Sequence, residues 1–212
     1  MFNLRLKFQK LGGCAYISHL DLMRTLQRSF VRSELPVKYT QGFNPHIYLS
    51  ILAPLSTGFE SVYELCDFGF DCEEYPQNAV SKLNAAFPDG IQALEIYESD
   101  RPLKEIEYSV YEITYERGSA GEMADFLEKP VTVTKESKHQ SKEVNINDYI
   151  KNIKFEQQGE KVLCTCTLSM GNDPLNPVYV SKALMQGGFV AQDDTPRYKR
   201  IALLDKNFEL FR

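Results

Sequence analysis

The sequence lacks a regular cysteine framework. Its five cysteines, Cys14, Cys66, Cys72, Cys164 and Cys166, are odd in number and irregular in spacing, which argues against a secreted, disulfide-stapled scaffold and favours a reducing compartment. No CxxxCxxC run is present to hold a radical-type iron–sulfur cluster. No apolar run approaches the roughly 20 residues that cross a bilayer, and MFNLRLKFQK mixes charge with apolar residues where a signal peptide would have an apolar core. The expectation is a cytoplasmic protein without membrane attachment. A P-loop, a dinucleotide fingerprint, a nucleophile elbow and an HExxH zinc motif are also missing, so the commonest phosphate, hydride, acyl-transfer and metalloprotease chemistries have no signature here.

What is present is an ordinary globular composition, 43% hydrophobic and 25% charged over 212 residues, enough for one large or two small domains. The net charge of −5 conceals an asymmetry. Residues 1–50 carry seven Lys and Arg against Asp21 and Glu34, a balance of +5; the other residues carry seventeen against twenty-seven, a balance of −10. A basic segment on an acidic body suits a localised anionic partner better than general affinity for polyanions.

Residues 2–10 read as a strand, because Phe2, Leu4, Leu6 and Phe8 alternate with Asn3, Arg5, Lys7 and Gln9. Gly12-Gly13 ends it. Ser18 with Asp21 three residues on resembles a capping box, and Leu20, Met23, Leu26, Gln27 and Phe30 follow at helical spacing. Strands are expected at 46–53, 61–70 and 91–98, with a helix at 76–87. That β-α-β-β-α-β order predicts a ferredoxin-like half over residues 1–98. A weaker series, with strands at 108–115, 130–136, 161–169 and 198–204 and helices at 119–128 and 177–186, predicts a second, more divergent half over residues 104–212. Lys135 to Asn147 reads as an exposed polar excursion. The fold class expected is α+β, with tandem ferredoxin-like halves and antiparallel sheets.

Two constellations carry candidate chemistry. In the first, His19 and the arginines Arg24, Arg28 and Arg32 lie on one helix, the arginines one turn apart on the face opposite the apolar stripe. A helix N-terminus attracts anions, and guanidinium groups grip phosphate with two parallel hydrogen bonds; a capped helix with a solvated face gives the same pattern. In the second, Lys38, Tyr39, Gln41, Phe43, Asn44 and His46 punctuate a loop with Gly42 and Pro45. Flat rings and amides there would stack on and hydrogen-bond an unpaired base, whereas a turn whose rings fill the core would look alike. Convergence of these residues on one nucleic-acid-binding surface is expected. Cys164 and Cys166 share one face of a strand with Val162 and Leu168 and read as buried structural thiols rather than metal ligands.

The ordered runs SHLDLMR, LPVKYTQGFNPH, APLSTGFESVYE and KLNAAFPDG, with the closing NPVYVSKAL and RYKRIALL, resemble the radical SAM-linked protein family, the uncharacterised DUF2344 group. The resemblance implies a genomic or covalent link to a cobalamin-binding radical SAM protein and no established activity. Any radical chemistry would come from that partner, so no cofactor is expected on this chain. The combined reading is a non-catalytic accessory protein that binds a structured RNA or presents a substrate to the radical SAM partner. Two alternatives stand beside it: a module that docks on the partner without touching RNA, and a metal-free RNA-processing endonuclease using His19, His46, Tyr39 and Lys38, the latter by fold-level analogy alone. A small-molecule or nucleotide pocket under the loop is a further option.

Overall fold

A computed structural model describes residues 2–72, 74, 76–136 and 141–212, and the chain divides into two compact units, Met1–Leu103 with Arg212 and Lys104–Phe211. It is a mixed α/β protein; four α-helices lie among the described residues, and every strand pairing inside either unit is antiparallel. No helix among those residues is long and apolar enough to cross a membrane.

The first unit runs β1 (Phe2–Lys10), α1 (His19–Arg32), β2 (Leu49–Leu52), β3 (Phe59–Phe70), α2 (Ala79–Ala86) and β4 (Ile91–Glu98), with strands in the order β4-β1-β3-β2. Leu4, Leu6 and Phe8 project to one face, where they form a single cluster with Cys66, Phe68 and Phe70 of β3, Ala93 of β4, and Leu22, Leu26, Phe30, Ala79 and Leu83 of the two helices. Both helices therefore cover the same face. Burying each of Leu26 and Phe30, which are fully inaccessible, stabilises the unit by about 1.5–3 kcal/mol. Of the expected stripe on α1, Leu26 and Phe30 are buried, with Leu22 and Ser29 beside them, whereas Met23 and Gln27 are only half-buried and Leu20 is exposed. Ser18 caps the helix as the sequence suggests, its Oγ accepting from the Asp21 N–H at 3.1 Å.

Two expected boundaries shift. The helix expected at 76–87 begins at Ala79, after a turn in which Ala79 N–H bonds to the Pro76 carbonyl. The strand expected at 46–53 is shorter, Leu49–Leu52, because the residues before it pair with the preceding loop. Gly90 is required by close approach: with φ +89°, an added Cβ would sit 2.7 Å from the Leu11 carbonyl oxygen, where β4 starts beside the end of β1.

The second unit comprises β5 (Tyr108–Tyr115), α3 (Ala120–Leu127), β6 (Thr132–Glu136), β7 (Ser141–Asn145), β8 (Ile150–Gln158), β9 (Lys161–Ser169), α4 (Val178–Gln186) and β10 (Arg197–Leu204). Its sheet runs β10-β5-β9-β8, and among the described residues β6 pairs with β7 in a separate two-stranded sheet. This corrects the sequence expectation in two ways. The strand beside β9 is β8 and not the 130–136 segment, and the supposed excursion Lys135–Asn147 contains β7 with Val144 and Ile146 buried; residues 137–140 of that excursion lie outside the described residues. Cys164, Cys166, Val162 and Leu168 are all buried, as expected from their shared face.

Candidate functional site

The loop after α1 is built from backbone pairing. Lys38 N–H bonds to the Gly69 carbonyl at 2.8 Å, fastening the loop to β3; Tyr48 N–H returns to the Lys38 carbonyl at 3.0 Å, and Thr40 N–H to the His46 carbonyl at 2.8 Å. Tyr39 and Ile47 face each other across this short two-stranded arm. At its tip Gly42 has φ +134°, a conformation open mainly to glycine, and Phe43 is fully exposed. His46 locks the arm from within: Thr40 Oγ1 accepts from the His46 N–H at 3.2 Å, and the ring Nδ1 lies 3.1 Å from Thr40 Oγ1 and 3.2 Å from the Asn44 carbonyl oxygen. Because a carbonyl only accepts, a protonated Nδ1 suits both neighbours and leaves Nε2 as the ring's uncommitted polar atom.

Between this arm and the outer face of α1 lies a groove of about 410 Å³ lined by Gln27, Arg28, Val31, Arg32, Tyr39, His46 and Ile47. Of the ten residues singled out from the sequence, Arg28, Arg32, Tyr39 and His46 meet there. His19 and Arg24 sit toward the other end of the helix, and the 1.5 Å rise per residue puts His19 about 13 Å along the axis from Arg28. Arg24 is engaged with Asp21 at 3.4 Å. Ser18 and then Arg24 hold the Asp21 carboxyl below its usual pKa, so the first turn presents a negative charge where an anion was expected to dock. Gln41, Phe43 and Asn44 are exposed at the arm's tip, outside the groove lining, and Lys38 is half-buried at its root. An acid–base set spanning His19 and His46 is thus not gathered by this groove.

Three lining residues are not among the sequence candidates: Val31, Ile47, and Gln27, which the spacing assigns to the sheet-facing stripe but which lies half-buried at this outer groove. Val31 left a usable trace, since an apolar β-branched residue, 57% exposed, interrupts the arginine face between Arg28 and Arg32. Arg32 is held firmly. Its Nη2 donates to the Ala86 carbonyl, the last of α2, at 2.6 Å and to Ser29 Oγ at 3.1 Å, an arrangement that also places a cation on the negative end of the α2 dipole.

The model of the family of uncharacterized proteins conserved in bacteria, DUF2344, matches residues 3–177, which include all of α1, the arm and the groove. The chain belongs to the DUF2344 family. No curated protein matches it. The DUF2344 match extends through β9 and stops before α4, so the groove lies wholly within the shared part of the chain. No cluster of three or more metal-ligating side chains occurs among the described residues.

Proposed function

We propose that this DUF2344 protein is a non-catalytic RNA-binding accessory that presents its RNA to a cobalamin-binding radical SAM partner, and that each unit is a ferredoxin-like β-α-β-β-α-β fold, the second with the β6–β7 hairpin inserted. The strand order supports the fold reading: numbered within its own sheet, each unit runs 4-1-3-2. The observation that carries the functional reading is the composition of the α1–arm groove. Two guanidinium groups and an aromatic ring line it with Val31 and Ile47, and no carboxylate does. Cations select phosphate, and exposed rings select bases.

The test is a series of anisotropy titrations of the whole protein with total host RNA at several salt concentrations. Affinity falls steeply with salt if phosphates are neutralised; Arg28→Ala, at the groove, weakens binding and flattens the salt slope, whereas Arg24→Ala and Phe43→Ala, outside it, leave both nearly unchanged. The fully exposed Phe43 also favours a second reading, a docking module for the radical SAM partner. That reading expects no RNA affinity at low salt, with the same substitutions abolishing capture of the partner in a pull-down.

A further inference from the structure

We infer that the α1–arm groove takes one unpaired nucleotide of an RNA strand, its base against Tyr39 and Val31 and its phosphate on Arg28 and Arg32. The inference rests on the RNA-binding reading and narrows it from RNA in general to a single-stranded or bulged nucleotide. A cavity of about 410 Å³ falls in the range of small-ligand sites, about 300–1,000 Å³. A base pair stacked within a duplex offers no free ring face to such a groove; a splayed base offers both faces.

The chemistry of the walls assigns the two halves of the nucleotide. Tyr39 and Val31 remain 48% and 57% exposed although both are largely apolar, so a flat ring laid over them removes apolar surface from water at no cost in broken hydrogen bonds. The backbone that carries the Tyr39 ring is bridged to Ile47 across the arm. On the other wall Arg32 is oriented before any ligand arrives: Nη2 is spent on the Ala86 carbonyl and Ser29 Oγ, leaving Nη1 to give a phosphate oxygen a single charge-assisted hydrogen bond. A guanidinium already fixed loses less side-chain freedom on gripping phosphate. Arg28, one turn earlier on the same face, supplies the second charge. The Glu34 carboxylate is not among the side chains that line this groove; it lines the neighbouring depression with Lys82, Ala86 and Arg32. The Gln27 amide and His46 Nε2 are then the polar groups left to meet the base edge.

The experiment compares two fluorescent RNA probes on the whole protein at low salt: a mixed-sequence single strand of twelve or so nucleotides (about the upper range of single-strand sites) and the same strand annealed to its complement as a blunt duplex. The single strand is expected to bind about tenfold or more tightly. Tyr39→Ala lowers its affinity about five- to a hundredfold, the span of base–aromatic stacking, while Tyr39→Phe restores it; Val31→Glu, which sets a carboxylate in the groove at an exposed position, abolishes the preference for the single strand. Equal affinity for both probes, or full affinity of Tyr39→Ala for the single strand, overturns the inference while leaving RNA binding intact. Failure of both probes to bind overturns the RNA reading and this inference together.

Discussion

Asn84 of α2 occupies both backbone groups of Ala93 on the edge strand β4: its Oδ1 accepts from the Ala93 N–H at 2.7 Å, and its Nδ2 donates to the Ala93 carbonyl at 3.0 Å. The side-chain amide thus does what a neighbouring strand would do, and it ties the helix to the sheet it covers. Asn84→Ala is expected to destabilise the first unit by about 1–3 kcal/mol, because a part-buried donor and acceptor both lose their partner. Asn84→Asp keeps the acceptor alone and falls between the two. Urea unfolding of the three proteins followed by circular dichroism measures the order; an unchanged midpoint for Asn84→Ala would refute it.

On the sheet face away from the helices, Arg5 is 1% exposed and donates from Nε and Nη2 to the two carboxylate oxygens of Asp67 at 2.6 and 3.0 Å, with a third bond to the Arg101 carbonyl at 2.8 Å. Removing the acid leaves a buried cation short of its counter-charge. Asp67→Ala is therefore expected to cost about 2 kcal/mol, below the roughly 3–5 kcal/mol for breaking a fully buried pair, since the Asp67 side chain keeps 35% exposure. Arg5→Met removes the charge and the need for it together, so it is expected to cost less than Asp67→Ala. The comparison of denaturant midpoints decides, and the reverse ranking would contradict this account.

The legibility of the sequence tracks how strongly each segment needs burial on one side. Strands β5 and β9 appear at the expected residues because Tyr111, Ile113 and Tyr115, and Val162, Cys164, Cys166 and Leu168, alternate inward, and a half-buried strand writes that period of two into the sequence. β8 was invisible for the opposite reason. Ile150–Gln158 is a largely solvated edge strand held by backbone pairing to β9, and an irregularity between Ile150 and Asn152 breaks what alternation it has. The site was half legible: charge spacing revealed Arg28 and Arg32, and loop punctuation revealed Tyr39 and His46. Nothing in a linear pattern states that an arm folds back over the last two turns of a helix, so Gln27 and Ile47 could not be joined to them.

The thiols should separate into two kinetic classes. Cys66, Cys164 and Cys166 are buried, whereas Cys14 and Cys72 are half-exposed. Burial pushes the Cys66 thiol up to about 12, and the hydrogen bond to Cys166 together with burial raises Cys164 well above its usual value, so neither supplies thiolate near neutrality. An aromatic disulfide reagent is expected to modify Cys14 and Cys72 in the native protein and the other three only after denaturant is added. Rapid native labelling of Cys164, located by peptide mapping, would show that β9 opens far more readily than its packing indicates.

Tyr149 and Asp173 supply a test by pH. Tyr149, just before β8, donates its hydroxyl proton to Asp173 Oδ2 at 2.6 Å, and Lys135 of β6 pairs with the same carboxylate while its Nζ lies 5.0 Å from the Tyr149 ring centroid. The Lys135 and Tyr149 hydrogen bonds hold the Asp173 carboxyl below its ordinary range, so its contribution is present above the unfolded value of about 3.9 and disappears as pH falls through the lower folded value. Tyr149 moves the other way. The bond to Asp173, then burial, raises its phenol to about 12; that contribution is complete below the unfolded value of about 10 and is lost as pH climbs from there toward the folded value. Between these limits the contact clips the β6–β7 hairpin to the loop that follows β9. Asp173→Asn is expected to return the phenol's midpoint toward 10, because the amide carries no charge to oppose phenolate formation. Phenolate absorbance, taken as the difference between each protein and its Tyr149→Phe counterpart, isolates the one tyrosine, and faster amide exchange across β6 and β7 in Asp173→Asn reports release of the clip. An identical Tyr149 titration with and without the Asp173 carboxylate would mean that the phenol is held up by its surroundings and that the hairpin is fastened by other contacts.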